Sequence, residues 1–212
     1  MAKHYSFYAL LDRLRYIERW SLMRSNQRET VADHTYQVSY IVHALYQIWC
    51  AEHPGEEPPV DLGQLLARTI FHDSSEVLTG DLPTPIKYFS DELRAAYAEI
   101  EHIAEESMLK TLPEEYRALY ARPMGLEPLE DEREEQQLRL WLKAADSISA
   151  YLKCKEEIRL GNNEFADAAL STKQKIHGLN CPEAEIFLEV FVPTYEASLD
   201  ELKESFDARR NG

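Results

Sequence analysis

Apolar residues recur at three- and four-residue spacing along almost the whole chain, which predicts helices throughout. Phe7, Leu10, Leu11, Leu14 and Ile17 form the stripe of a first helix ending near Trp20. Thr30, followed three residues later by Asp33, has the form of a capping box. Behind it Val38, Ile41, Val42, Leu45, Ile48 and Trp49 continue a second helix. The HPGEEPP stretch from His53 to Pro59 breaks the chain. A third helix is expected from an Asp61 cap to about Leu78, with Leu65, Leu66, Thr69 and Ile70 inward. Pro83 and Pro85 exclude helix beyond it, so Gly80 to Ile86 reads as rigid, irregular backbone. Ser90 caps a fourth helix carrying Leu93, Tyr97, Ile100, Ile103 and Ala104, and a short helix follows Pro113. Arg122 to Glu132 reads as a loop. A long helix from about Glu132 to a Gly161 stop turns Leu138, Trp141, Leu142, Ala145 and Ile148 inward. Two more run near Asn163 to His177 and Pro182 to Asp207, the last kinked at Pro193. With no repeat period or long linker, one all-α domain over residues 1–212 is the economical reading.

Composition supports this and narrows the partners. Seven glycines among 212 residues suit helices, and 44% hydrophobic residues supply enough apolar surface for a core. The 38 acidic residues outnumber the 23 Lys and Arg, a net charge of −15, so the chain lacks the cationic footprint for a nucleic-acid polymer or an anionic membrane surface. Cys50, Cys154 and Cys181 form no CxxC pair and are odd in number, which fits a reducing compartment better than a disulfide framework. Charges at Asp12, Arg13, Arg15, Glu18 and Arg19 interrupt any signal-peptide core, and no apolar run reaches membrane-spanning length. A cytoplasmic protein is expected.

Candidate chemistry lies in the histidines. His4, His53 and His177 stand in polar contexts, and His43 and His102 read as ordinary helical histidines. Glu99 and His102 form one Glu-x-x-His pair, whereas di-iron bundles need two. His72 differs: Asp73 follows it and Glu76 lies a helical turn on, inside the otherwise apolar TIFHDSSEVLTGDLPTP. The inward period of the third helix extends to Asp73, and a carboxylate carried inward requires a cation or strong donors opposite. An adjacent imidazole and carboxylate can share a divalent ion such as Mn, Co, Fe or Zn. His34 sits in the first turn of the second helix, and Asp146 lies on the inward stripe of Leu138 and Leu142.

The order His34, His72-Asp73, Asp146 resembles the H…HD…D signature of the HD-domain metal-dependent phosphohydrolases. The segments IERWSLMR, ETVADHTYQV, HDSSEVLTGDLPTPIKYF, KAADSISAYLKC, GNNEF and FVPTYEASLDE are similar in wording and order to the bacterial 5′-deoxynucleotidases of that superfamily, over nearly the whole chain. The resemblance implies a single HD-domain helical bundle that hydrolyses deoxyribonucleoside 5′-monophosphates to deoxynucleosides and phosphate, as a homodimer using Co, Mn or another transition metal. It implies His34, His72, Asp73 and Asp146 as metal ligands and Glu76 as the catalytic glutamate. Arg19 and Trp20 would contact substrate, with Asp81, Leu82, Pro83 and Thr84 as the substrate loop; Arg19 and Asp73 would also take part in catalysis, and Asp73 and Asp146 in substrate binding.

The chemistry of these residues is consistent with that assignment. Two imidazoles and two carboxylates leave open positions for water and a phosphate oxygen, and Arg19 offers a planar fork for phosphate. Crowding by Trp20 and the proline-stiffened loop would reject a 2′-hydroxyl. Two rivals stay open. A triphosphate or guanosine tetraphosphate hydrolase shares the four ligands but needs further cations, whereas the local ones are mainly Arg19, Arg24, Arg28, Lys87 and Lys153. A non-catalytic helical binding module would have no use for Glu76 and Arg19.

Overall fold

A computed structural model describes residues 4–87 and 89–207, with the side chains of residues 84, 85 and 204–207 left aside. Its helices are α1 (Phe7–Leu11), α2 (Val31–Glu52), α3 (Leu62–Phe71), α4 (Glu76–Thr79), α5 (Thr84–Lys87), α6 (Asp91–Lys110), α7 (Glu114–Ala121), α8 (Glu132–Arg159), α9 (Ala166–Gly178), α10 (Pro182–Val190) and α11 (Leu199–Asp207). Among the described residues the extended pairing is confined to one isolated antiparallel bridge, Glu18 with Thr30.

The local signals for α2 act as read. The Thr30 hydroxyl accepts from Asp33 N–H while the Asp33 carboxylate accepts from Thr30 N–H, closing the capping box. α2 and α8 lie side by side, with α3, α9 and α10 around them. Val38, Ile41, Val42 and Leu45 of α2 interlock there with Leu138, Trp141, Ala145 and Ile148 of α8. A smaller cluster of Phe7, Met108, Leu112 and Met124 packs α1 and α6 beside this core. Among the described residues no helix is long and apolar enough to cross a membrane.

Five expectations are corrected. The first helix stops at Leu11, tightens to a 3-10 turn over Asp12–Tyr16, and gives way to extended backbone at Ile17 (φ −96°, ψ 111°), where the chain pairs with the segment before α2. The third helix stops at Phe71 instead of reaching Leu78: Ser74 N–H bonds to Phe71 O and Glu76 N–H to Asp73 O, three-residue spacings that tighten the backbone through His72 and Asp73. Ile70 turns outward, 51% exposed. Pro85 does not exclude helix, because in the first turn of α5 its missing N–H would have had no intrahelical partner. Pro193 does more than kink the last helix. The chain passes from α10 through a 3-10 turn at Val192–Glu196 to extended backbone at Ala197 before α11 begins.

Glu157, near the end of α8, anchors the loop ahead of α2. Its fully buried carboxylate accepts from Lys153 Nζ (2.6 Å), Asn26 N–H (2.8 Å), Gln27 N–H (2.9 Å) and Asn162 Nδ2 (3.0 Å). Burial opposes the charge, but the Lys153 ammonium and these donors outweigh it and pull the pKa down to about 2. Such a displacement corresponds to roughly 3 kcal/mol of stability, complete above the ordinary glutamate pKa of about 4.3 and lost as the pH falls toward 2. Glu157→Gln should therefore lower unfolding stability by about that amount at pH 7 and flatten the acid limb, as urea titrations across pH would record.

Candidate active site

Three elements, α2, α3 and α8, converge on one cluster. The first turn of α2 brings His34 in fully buried, the end of α3 brings His72 and Asp73, and α8 brings Asp146. His34, His72 and Asp73 each offer a ligand atom, all within 4.8 Å of one another. Asp73 Oδ2 lies 3.0 Å from His72 Nε2 and 3.5 Å from His34 Nε2, and Asp146 Oδ1 lies 3.4 Å from His34 Nε2. Asp146 stands beside the three-residue group while its other oxygen accepts from Lys143 Nζ at 2.8 Å.

Both imidazoles are fixed from behind. His72 Nδ1 lies 2.7 Å from Thr69 O, which can only accept, so Nδ1 carries the proton and the Nε2 lone pair faces the cluster. The Ser149 hydroxyl gives its hydrogen to Gln37 Oε1 at 2.6 Å and therefore accepts from His34 Nδ1 at 3.0 Å, orienting that ring likewise. The two Nε2 atoms are buried without a properly directed hydrogen bond. Two inward lone pairs with a carboxylate oxygen between them are a donor set that fits a divalent transition metal.

Charge inside the cluster is tightly coupled. Burial works against the Asp73 carboxylate, yet His72, His34 and Arg19 hold it well below the usual range. Asp146 is likewise held low against burial, by His34, Lys143 and Arg19. His72 is raised, because Asp73 outweighs the cost of burying its charge. Glu76, the first residue of α4, moves the other way: burial, then the negative charges of Asp73 and Asp81, push it up to about 9. One of its oxygens is buried without a partner. Glu76 therefore holds its proton more tightly than an ordinary glutamate, beside Asp73 and Asp81.

Arg19 borders the cluster, with Trp20 next to it in the chain. Arg19 Nη1 stands 3.8 Å from both Asp73 Oδ2 and Asp81 Oδ1. Burial opposes its charge, but Asp73, Glu29, Asp146 and Asp81 outweigh it, so the guanidinium stays ionised. Trp20 is half-buried against Phe165, ring centroids 5.3 Å apart. Gly80 (φ 72°) turns the chain from α4 into the Asp81 loop through a conformation that a side chain would strain. Leu82 and Pro83 follow, half-buried, and the Thr84 side chain lies outside those described.

Sequence reasoning missed the residues behind the site, Ser149, Gln37, Lys143 and Glu29. Ser149 and Lys143 flank Asp146 on successive turns of α8, a spacing that could have marked them; no local pattern singles out Glu29. A cavity of ≈ 580 Å³ is lined by Glu29, Asp33, Gln37, Lys153 and Tyr195 among others, and by none of the metal-cluster residues.

This helical bundle, with its His/Asp cluster between central helices, has the fold of the HD-domain phosphohydrolases. A structure of such a protein from Listeria innocua aligns with TM-score 0.74 over 96% of this chain and 98% of its own, at 22% identity. The YfbR-like 5′-deoxynucleotidase family model matches residues 6–195, and this chain belongs to that family. It is 41% identical over 202 residues to a 5′-deoxynucleotidase of Erwinia tasmaniensis, covering 95% of this chain and 98% of the relative. With a 5′-deoxynucleotidase of Vibrio parahaemolyticus it shares 43% over 200 residues, 94% and 99% of the two chains.

Proposed function

We propose that this protein is a metal-dependent phosphomonoesterase that hydrolyses deoxyribonucleoside 5′-monophosphates to deoxynucleosides and inorganic phosphate. The observation that carries the reading is the meeting of inward imidazole nitrogens and Asp73 with an ionised arginine, Arg19 Nη1 lying 3.8 Å from Asp73 Oδ2. Family membership supplies the substrate class.

His34, His72, Asp73 and Asp146 would hold the cation. When bound, it withdraws charge from phosphorus and makes water a usable nucleophile at neutral pH. Arg19 aligns the phosphate through its planar fork. Water adds to phosphorus, the P–O5′ bond breaks, and the proton stored on Glu76 passes to the leaving O5′; a proton carried in by the water, now on the phosphate, returns to Glu76 and restores the acid. Glu76 would hold that proton, through its burial and the charges of Asp73 and Asp81, until O5′ leaves. Trp20 and the Asp81, Leu82, Pro83, Thr84 loop enclose the sugar and crowd out a 2′-hydroxyl. The reading takes residues 1–212 as one catalytic domain, working in a reducing cytoplasm where Cys50, Cys154 and Cys181 stay as free thiols. It also takes two copies to pair through an apolar surface that includes the exposed Phe89, Leu93 and Ile100, which sedimentation would read as a dimer mass.

A phosphate-release panel with Mg, Mn, Co and Zn tests the substrate class. Turnover of dAMP should exceed that of AMP by at least tenfold in kcat/KM, and dATP should release little phosphate. Equal rates on dAMP and AMP would sink sugar exclusion, and release from dATP alone would assign the site to triphosphates.

A further inference from the structure

Trp20 has φ of 63°, a left-handed conformation that is a genuine outlier for a bulky residue and persists only where surrounding contacts enforce it. Two carboxylates do so. The Asp81 carboxylate faces the Trp20 backbone N–H, which favours its charged form. At the other end, Glu29 Oε2 accepts the indole Nε1–H at 2.7 Å. The same Glu29 oxygen accepts Arg19 Nε–H at 3.2 Å. Glu29 is in turn tied to the segment it clamps: Arg19 N–H donates to Glu29 O at 2.9 Å, and Val31 N–H to Ile17 O at 2.9 Å, flanking the Glu18–Thr30 bridge. The carboxylate is 11% exposed.

One oxygen therefore binds the side chains of two adjacent residues that sequence alone would leave free to rotate. With Nε engaged by Glu29, the Arg19 guanidinium can rotate little, and Nη1 is carried to the Asp73 and Asp81 side of the site. With its indole N–H engaged, Trp20 cannot flip its ring. We propose that Glu29 is a positioning residue for both steps of substrate selection, holding Arg19 to receive the phosphate and Trp20 to exclude the 2′-hydroxyl. The inference rests on the substrate reading above and deepens it. Among the described residues Glu29 makes its side-chain hydrogen bonds to Arg19 and Trp20 and none to the metal cluster or Glu76, so its loss acts on binding geometry more than on the chemical step.

The test is Glu29→Gln, which keeps the size and one acceptor but loses the charge. KM for dAMP should rise roughly ten- to hundredfold, the loss expected for charge-assisted hydrogen bonds. The change in kcat should be smaller, metal content should equal wild type, and the dAMP:AMP ratio of kcat/KM should fall about tenfold. In a Trp20→Phe background the KM effect should persist through Arg19, whereas Glu29→Gln should change the dAMP:AMP ratio no further. A reading independent of activity is the indole ¹H–¹⁵N resonance of Trp20, assigned by its disappearance in Trp20→Phe. In Glu29→Gln this peak should move upfield as the charged acceptor is lost. An unmoved peak, or an unchanged KM and ratio, overturns the clamp. A wild-type enzyme inert on all nucleotides would overturn the substrate reading instead, and the indole shift would still decide whether Glu29 holds Trp20.

Discussion

Glu76→Gln should fold and load metal like wild type while losing roughly 10²–10⁴-fold in kcat, the range that a positioned proton donor contributes. The amide preserves the shape of the side chain, so α4 and the turn before it are undisturbed. What disappears is a proton held to about pH 9 by burial and by the charges of Asp73 and Asp81. A donor is active in its protonated form, so wild-type kcat should fall as the pH rises through the Glu76 pKa. With a cation countering Asp73 this limb lies below 9, and Glu76→Gln should lack it. Steady-state kinetics across pH, alongside metal analysis of the same samples, measures both effects. A variant as active as wild type would remove Glu76 from the chemistry.

The parts of this site that were legible in sequence are those whose signal is local. The capping box of Thr30 and Asp33 fixes where α2 begins and thereby sets His34 in its first turn. His72-Asp73 stands out because a charged pair interrupts an apolar period, and Asp146 because it falls on a stripe of buried residues. The break after Phe71 was not legible, since its three-residue hydrogen bonds are set by packing and by the Thr69 carbonyl engaged with the His72 ring. Glu29 and Glu157 were hidden for a different reason. Among 38 acidic residues, a glutamate that gathers indole, guanidinium or backbone donors from distant segments looks like one that faces solvent. Pro85 shows the limit of residue-type rules: its effect depends on whether the missing N–H falls in a first turn.

Asp73→Asn should abolish turnover by removing the metal, and the reason lies in one atom. Asp73 Oδ2 is within 4 Å of His72 Nε2, His34 Nε2 and Arg19 Nη1, so both inward imidazoles and the guanidinium share it. Replacing the carboxylate by an amide leaves two neutral imidazoles with Asp146, whose charge is already shared with Lys143. Metal affinity should drop by more than about 100-fold, beyond the loss typical of a residue that only supports a ligand. Metal and proton also compete for the cluster. His72 must be neutral to coordinate, and its pKa is raised by Asp73, so wild-type affinity should weaken as the pH falls through that raised value. In Asp73→Asn the largest push on His72 is gone, leaving those of Asp146 and the Thr69 carbonyl, and the residual weak binding should keep its strength to lower pH. Titration calorimetry of the apo-protein in buffers of different ionisation enthalpy would count the proton released by wild type. Full occupancy in the variant would show that Asp73 is not a ligand and would move the metal toward Asp146.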